Sequence, residues 1–438
     1  MGRLTHRLLV AVALAAVLVS GLATPVAAFT GFGPISADAT YGVEMVFRVE
    51  LAGGAPDRLD LLLRFGDDEA TFVAPVTPAG ASAEYRWDAA RDHVTPNTPI
   101  AYRWRATDGD RVTLSPERTL LYDDDRPGLD WDSMRIGDAT VHWYGGAEGQ
   151  ARRFGELSAD GAGRAEALLG HELAGPVDIF VYDSRDEFFG ALGPGAREWT
   201  GAATYPPLRT IFMWLGGGAS GFLETTLVHE VTHVVFYDAT ANPFHDPAKW
   251  LNEGLATWSE EQSADQQRST VEFEASGGGL FAFEAIAAGF PIGSRGASLS
   301  YAQGTTMVGM IIDRFGEGAI AGIAAAYRDG ASDDEALEAG TGMPADELYA
   351  DFYADFGVDP PEPIEPAPIL PSNVRTPGGT GGDGDGGPAA SSPAGPSTPG
   401  EEEVNVALLV VPIILLVVAG IAAAAWAARR AARRREDE

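Results

Sequence analysis

His229 and His233 stand four residues apart in the string His-Glu-Val-Thr-His. On an α-helix, residues four apart lie on the same face, so the two imidazoles can converge on one metal ion. Glu230 lies about 100° around the helix from His229, where it can reach a metal-bound water without ligating the metal. These residue types predict a zinc ion that activates water and a carboxylate that accepts the proton.

A third zinc ligand must come from elsewhere, because catalytic zinc normally takes three protein ligands and leaves a fourth position for water. The downstream candidates are His245, Asp246, Glu253 and Glu260. We favour Glu253, since the interval after His233 lets one helix end and a second helix present a carboxylate near its first turn. His245 and Asp246 lie between two prolines, and we expect them in a surface loop.

The helix that must carry the histidines is predicted over about residues 221–237. Ser220 is a typical N-terminal capping residue, and Pro243 prevents continuation far beyond Asn242. The alternative is an ordinary amphipathic helix whose histidines face solvent. Chance occurrence of the string has a probability of about 0.01 in a chain with seven histidines, which disfavours that alternative. The opposite face is apolar and should be buried; it contains Leu227, Val231, Val234 and Val235.

The pairing of His-Glu-x-x-His with the downstream string Asn-Glu-Gly-Leu-Ala resembles the gluzincin zinc metallopeptidases, which include thermolysin and the membrane alanyl aminopeptidases. The best fit is a separate peptidase MA-like branch. The resemblance implies that His229, His233 and Glu253 ligate Zn²⁺ and that Glu230 is the general base in peptide-bond hydrolysis. It also implies a catalytic domain with a mixed sheet lobe and a helical lobe. The match is strict over residues 224–258.

Two positions depart from those families. The Gly-Ala-Met-Glu-Asn motif that grips the substrate amino terminus in the aminopeptidases is missing, which favours an endopeptidase over an aminopeptidase. Thermolysin-like enzymes also place an aspartate four residues after the third ligand to orient a histidine. Here that position is Thr257, so the sequence leaves open which residue fixes the imidazole tautomer.

Tyr301 is a second candidate catalytic residue. The segment Tyr-Ala-Gln-Gly opens a predicted helical stretch and resembles the Tyr-x-Lys-Gly segment of the aminopeptidases, with Gln303 in place of the lysine. The resemblance implies that Tyr301 donates a hydrogen bond to the oxyanion of the tetrahedral intermediate. The alternative is an ordinary buried aromatic residue at a helix start.

Upstream of the histidines, residues 177–182 and 209–215 are predicted β-strands. A sheet edge beside the zinc helix could bind an extended peptide through main-chain hydrogen bonds. By resemblance to gluzincins, residues 209–215 are the better candidate for that edge. The alternative is a plain structural strand.

The chain is predicted to be an α+β multidomain protein. Apolar residues alternate with mostly polar ones over residues 29–128 and predict an immunoglobulin or fibronectin III-like β-sandwich, which is either an accessory spacer or a substrate-binding module. The zinc metallopeptidase domain is predicted at residues 135–358. The alternating positions include Val43, Met45, Phe47, Val49 and Leu51, then Leu59, Leu61, Leu63 and Phe65, then Tyr102, Trp104 and Ala106.

The two ends of the sequence predict a location. Residues 1–28 combine a basic start, an apolar run and small residues before the expected cleavage, which is typical of a signal peptide; an uncleaved anchor is the alternative. Residues 359–403 are rich in Pro, Gly and Ser and predict a disordered linker. Residues 404–428 predict a transmembrane helix, and the arginine-rich tail 429–438 should be cytoplasmic. We therefore expect a single-pass cell-membrane protein with its N-terminal ectodomain outside the cytoplasm.

Composition narrows the function classes further. The chain has no cysteine, which excludes a disulfide-dense fold. Its net charge of −33 argues against a nucleic-acid partner. The expected partners are a peptide or protein substrate and, through the C-terminal helix, the membrane; the oligomeric state is left open. The competing hypotheses are a surface binding or adhesion protein with a degenerate metallopeptidase domain, and hydrolysis of a non-peptide amide.

Overall fold

The computed structural model describes residues 28–66, 70–193, 201–217, 220–260, 264–291 and 293–361. All of them belong to one compact unit of the chain. The predicted transmembrane helix, the basic tail and nearly all of the predicted signal peptide and linker lie outside these residues. Within them, no helix has the length and apolar character needed to cross a membrane.

The N-terminal part of the described chain consists of two antiparallel sheets. One has the strand order β1-β2-β5, and the other has the order β4-β3-β6-β7 with β8 also paired to β6. Alternating side chains from β2, β3 and β6 meet in a single apolar core. The predicted alternation is therefore confirmed there, except at Val43, which precedes β2 and is 54% exposed. The strands are β1 (Phe29–Thr40), β2 (Glu44–Gly53), β3 (Arg58–Phe65), β4 (Phe72–Val76), β5 (Ser82–Asp88), β6 (Thr98–Asp108), β7 (Arg111–Leu114) and β8 (Arg118–Tyr122).

A third sheet follows, with the order β12-β13-β11-β10-β9. The prediction for residues 177–182 is confirmed, because β11 has those bounds. The prediction that residues 209–215 form the sheet edge is wrong, since β13 is hydrogen-bonded to β11 on one side and to β12 on the other. The short strand β12, which no sequence signal singled out, is the edge nearest the histidines. The strands are β9 (Asp132–Ile136), β10 (Ala139–Trp143), β11 (Val177–Tyr182), β12 (Ala202–Tyr205) and β13 (Thr210–Trp214).

Helices dominate the C-terminal part, so the fold is mixed α+β as predicted. The apolar face predicted for the histidine helix, α3, is fully buried in the main core. A capping box is present at the start of α8, where Oγ of Ser332 accepts from the backbone amide of Glu335 and the carboxylate of Glu335 accepts from the backbone amide of Ser332. The helices are α1 (Glu148–Leu169), α2 (Arg185–Leu192), α3 (Ser220–Thr240), α4 (Lys249–Trp258), α5 (Ala264–Ser276), α6 (Ser294–Phe315), α7 (Gly318–Arg328), α8 (Asp333–Thr341) and α9 (Ala345–Asp355).

A buried carboxylate links the N-terminal sheets to the third sheet. Asp124 is 5% exposed, and both of its oxygens accept hydrogen bonds from the guanidinium of Arg126, at 2.7 and 2.5 Å. The hydroxyl of Tyr182 on β11 donates to the same carboxylate at 2.9 Å. Nearby, the hydroxyl of Tyr41 donates to the carbonyl of Gly190 at 3.0 Å. Because fixed donors surround Asp124, this junction is held by a saturated polar network.

Candidate metal centre

His229, His233 and Glu253 converge on one point between α3 and α4. Oε2 of Glu253 lies 3.5 Å from Nε2 of His229 and 3.5 Å from Nε2 of His233. Their ligand atoms all lie within 4.8 Å of one another, so the group could hold a metal ion. Two imidazole nitrogens and one carboxylate oxygen form a donor set that suits zinc with an open fourth position. The structure thus places Glu253 where its spacing from His233 predicts a third ligand.

The other ring nitrogen of each histidine is also engaged. Nδ1 of His229 lies 2.8 Å from Oε1 of Glu260, and Nδ1 of His233 lies 2.8 Å from Oδ1 of Asn252. Because an ionised carboxylate and an amide oxygen can only accept, both Nδ1 atoms act as donors. Nε2 is therefore the ring nitrogen of each histidine that remains for a metal, and both Nε2 atoms face the side where Glu253 lies.

These contacts identify the tautomer-fixing partners that the sequence left open. Glu260 was one of four candidates for the third ligand, but the structure places it behind His229 as a hydrogen-bond acceptor. It lies just past the end of α4, three residues further along the chain than Thr257, which occupies the position of the corresponding aspartate of thermolysin-like enzymes. Asn252 precedes Glu253 in the Asn-Glu-Gly-Leu-Ala string, and this position is the sequence signal that could have identified it as the partner of His233.

The protonation equilibria indicate a site that attracts positive charge. Burial lowers the pKa of His229, but hydrogen bonds to Glu253 and Glu260 outweigh it and raise the pKa to about 10. Burial raises the pKa of Glu253, whereas His229, His233 and Lys249 hold that pKa well below its usual range. A divalent cation among the three ligand atoms can take the place of the proton that His229 holds next to this carboxylate.

Glu230 lies beside the metal group and outside the donor set, as the helical offset predicted. Its Oε2 accepts a hydrogen bond of 2.5 Å from the hydroxyl of Thr204 on the edge strand β12. No motif in the sequence pointed to Thr204, because it lies in a four-residue strand that precedes the histidine helix. The structure therefore ties the candidate general base to the strand that forms the sheet edge.

Tyr301 reaches the site through an unusually close contact between α4 and α6. A side chain at Gly254 would overlap the backbone of Gly304 at 2.4 Å, and one at Gly304 would overlap the carbonyl of Trp250 at 2.3 Å. The two helices can touch only because both positions are glycine. This contact explains the glycine that follows Glu253 in the motif.

Tyr301 itself lies two turns inside α6, so the prediction that it opens the helix is wrong. Its ring centroid is 6.4 Å from that of His229. Burial, and then the negative charge of Glu253, raises the pKa of Tyr301 above its ordinary value, so the hydroxyl stays protonated as a donor. Tyr301 is therefore adjacent to the metal group rather than in a remote part of the core.

A cleft of about 530 Å³ opens in front of these residues; His229, Glu230 and Tyr301 line it together with Glu260. Along β12, the amide of Trp214 donates to the carbonyl of Gly201 at 3.0 Å. In an antiparallel pair the hydrogen-bonded positions alternate, so the backbone groups of Ala202 and Thr204 point away from β13. Within the described residues, β12 has a partner strand on one side only.

The structure does not bring His245 or Asp246 to the site. Both are exposed in the loop between α3 and α4, as predicted. The ring of His245 instead lies 6.0 Å from that of Tyr327.

Comparison with known proteins agrees with this geometry. Residues 158–355 match the family model of the Peptidase MA superfamily. That part of the chain is a Peptidase MA superfamily domain, which confirms the resemblance drawn from the motif and indicates a peptidase-like function.

Other comparisons add little. A search of curated proteins gave no match. Among solved structures, the crystal structure of Br derivative BhCBM56 matches with 8% identity, over 22% of this chain and 97% of that chain, at a TM-score of 0.18. A likeness of that size carries no argument about fold or function.

Proposed function

We propose that this protein is a zinc-dependent peptidase that hydrolyses peptide bonds. The observation that carries the proposal is the convergence of His229, His233 and Glu253 in a Peptidase MA superfamily domain, with both histidine Nδ1 atoms already hydrogen-bonded. Zinc held by these residues would supply a water molecule whose pKa is lowered to about 7.

The remaining steps belong to the chain's own residues. Glu230 accepts the proton of the attacking water and later delivers it to the leaving amine. Thr204 donates to Oε2 of Glu230 and so fixes the orientation of the carboxylate. Tyr301, kept protonated by its burial and by Glu253, is the donor proposed for the oxyanion.

We further propose that the activity is that of an endopeptidase. The outward backbone groups of Ala202 and Thr204 on β12 offer hydrogen bonds to an extended substrate strand. The sequence lacks the motif with which the aminopeptidases grip a substrate amino terminus. Cleavage of peptides whose amino terminus is acetylated separates the two activities, because an aminopeptidase requires the free amine.

The location and the N-terminal module are also proposals. The two N-terminal sheets enclose one apolar core, which supports a sandwich of the immunoglobulin or fibronectin III type.

The sequence of residues 404–438 supports an anchor with the catalytic domain outside the cytoplasm. Release of the protein from membranes by detergent but not by high salt tests the anchor.

The decisive experiment on function is Glu230→Gln in the full chain. Removal of a general base costs about 10²- to 10⁴-fold in rate, while the three zinc ligands remain in place. We expect the variant to bind zinc as the wild type does and to lose hydrolysis of a peptide library by that factor.

Two results would contradict the peptidase. Full proteolysis by the Glu230→Gln variant would remove the residue from the mechanism. Cleavage of no peptide by a zinc-loaded wild-type protein would favour the adhesion hypothesis or a non-peptide amide substrate instead.

A further inference from the structure

The chain contains a single lysine among its 30 basic lysine and arginine residues, and that lysine is Lys249. It is the first residue of α4, one helical turn before Glu253. Its Nζ lies 2.8 Å from Oε1 of Glu253. The only lysine therefore contacts a residue of the candidate metal group.

The contact divides the two oxygens of Glu253 between different partners. Oε1 accepts from Lys249, whereas Oε2 is the atom that lies 3.5 Å from Nε2 of both His229 and His233. Only one oxygen thus faces the point where the three ligand atoms converge. A carboxylate with no partner on Oε1 could rotate and present both oxygens to a cation.

Lys249 is held in place by more than this ion pair. Its backbone amide donates to the carbonyl of Ala287 at 2.6 Å. Its ammonium lies 5.4 Å from the ring centroid of Phe290, within the range of a cation–π interaction. Phe290 also packs edge-on against Tyr301 at 5.1 Å. The lysine is therefore part of the wall of the site, although 42% of its side chain is exposed.

Lysine suits this position better than arginine for a physical reason. A guanidinium presents a planar fork that pairs with both oxygens of a carboxylate, as Arg126 does with Asp124. An ammonium is a compact charge that can satisfy one oxygen and leave the other available. An arginine next to Glu253 would compete for Oε2, the oxygen that faces the histidines.

We propose that Lys249 is a positioning residue that keeps Glu253 a one-oxygen metal ligand. The inference rests on the proposed function, since it assumes that zinc binds at His229, His233 and Glu253. Its role is to hold Oε1 away from the metal position, so that the coordination site intended for water is not taken by the carboxylate.

The test compares Lys249→Met, Lys249→Arg and the wild type in the full chain. Zinc affinity is measured by competition with a chelator, and the visible spectrum of the cobalt(II)-loaded protein reports the coordination of the metal. The matched control is Arg152→Met, because Arg152 forms an exposed ion pair with Glu148 at the same i,i+4 spacing on α1. Thermal unfolding of the metal-free proteins checks that each variant folds.

We expect Lys249→Arg to weaken zinc binding about 100-fold, because the guanidinium competes for Oε2, and Lys249→Met to change zinc affinity by no more than about tenfold. The cobalt spectrum should change in both variants and stay unchanged in Arg152→Met. Either variant alone decides the matter if the other fails to fold.

Wild-type zinc affinity and spectrum in either variant would overturn the inference, as would tighter zinc binding by the arginine than by the methionine. Absence of zinc binding by the wild-type protein would overturn the proposed function and this inference together. Zinc binding by the wild type with unaffected variants would overturn the inference alone.

Discussion

Asp124 and Glu253 are both buried carboxylates, and their surroundings differ in one respect. Asp124 accepts hydrogen bonds from the guanidinium of Arg126 and the hydroxyl of Tyr182, so both of its oxygens are paired with side chains of the protein. Glu253 receives a lysine on one oxygen and directs the other toward two imidazole nitrogens beside an open cleft.

The difference separates a structural network from a candidate metal site. Removing a charge from water is costly, and a protein recovers that cost only when the buried group is fully hydrogen-bonded or binds a cation. The first solution is present at Asp124, where it joins the N-terminal sheets to β11. The second solution is available at Glu253, because its Oε2 faces two histidine Nε2 atoms that could bind the same cation.

The largest effect should follow from Glu253→Ala. Loss of a ligand should reduce zinc affinity by more than about 100-fold, because even residues that only orient ligands contribute tenfold to 100-fold. The metal-free protein should keep the unfolding midpoint of the wild type within a few degrees. Chelator competition and thermal unfolding measure the two quantities, and retained zinc affinity would remove Glu253 from the ligand set.

The converse change is Asp124→Ala, which leaves the half-buried guanidinium of Arg126 without its fork partner. Breaking a buried ion pair in this way costs about 3 kcal/mol at the lower end of the usual range, which suits an arginine that is 25% exposed. Chemical denaturation should show this loss, while zinc affinity per folded molecule stays unchanged.

A matched control for that prediction is Asp38→Ala. Asp38 pairs with Arg48 on the surface and is 73% exposed, so its loss should change the free energy of unfolding by less than about 0.5 kcal/mol. Equal destabilisation by the two variants would contradict the contrast between the buried network and surface charge.

A smaller effect on the site than that of Glu253→Ala should come from Thr204→Val, which removes the hydroxyl that donates to Glu230 and keeps the shape of the side chain. A hydrogen bond to a charged group contributes about 1.5 kcal/mol at the lower end, so kcat/KM should fall roughly tenfold with zinc affinity unchanged. Thr204→Ser keeps the hydroxyl and should retain activity. Peptide hydrolysis kinetics decide this, and equal rates for valine and serine would show that the contact plays no part in catalysis.

Much of the local structure followed from short-range sequence signals. The bounds of β11, the apolar face of α3 and the capping box at Ser332 and Glu335 all depend on residues close together in the chain. The edge strand was missed because β12 has only four residues and its pairing depends on the neighbouring strand. The position of Tyr301 within α6 was also misjudged, since the helix begins further upstream at Ser294.

The sequence by itself determined the ligand types and the helical spacing of His229 and His233, because a helix converts a separation of four residues into a shared face. Only the tertiary structure decided which groups complete the site. Glu260 orients His229, Thr204 contacts Glu230, and Gly254 lets α6 approach closely enough to bring in Tyr301. These partners lie 26 to 50 residues apart in the chain, and packing of helices and strands, which no local pattern encodes, brings them together.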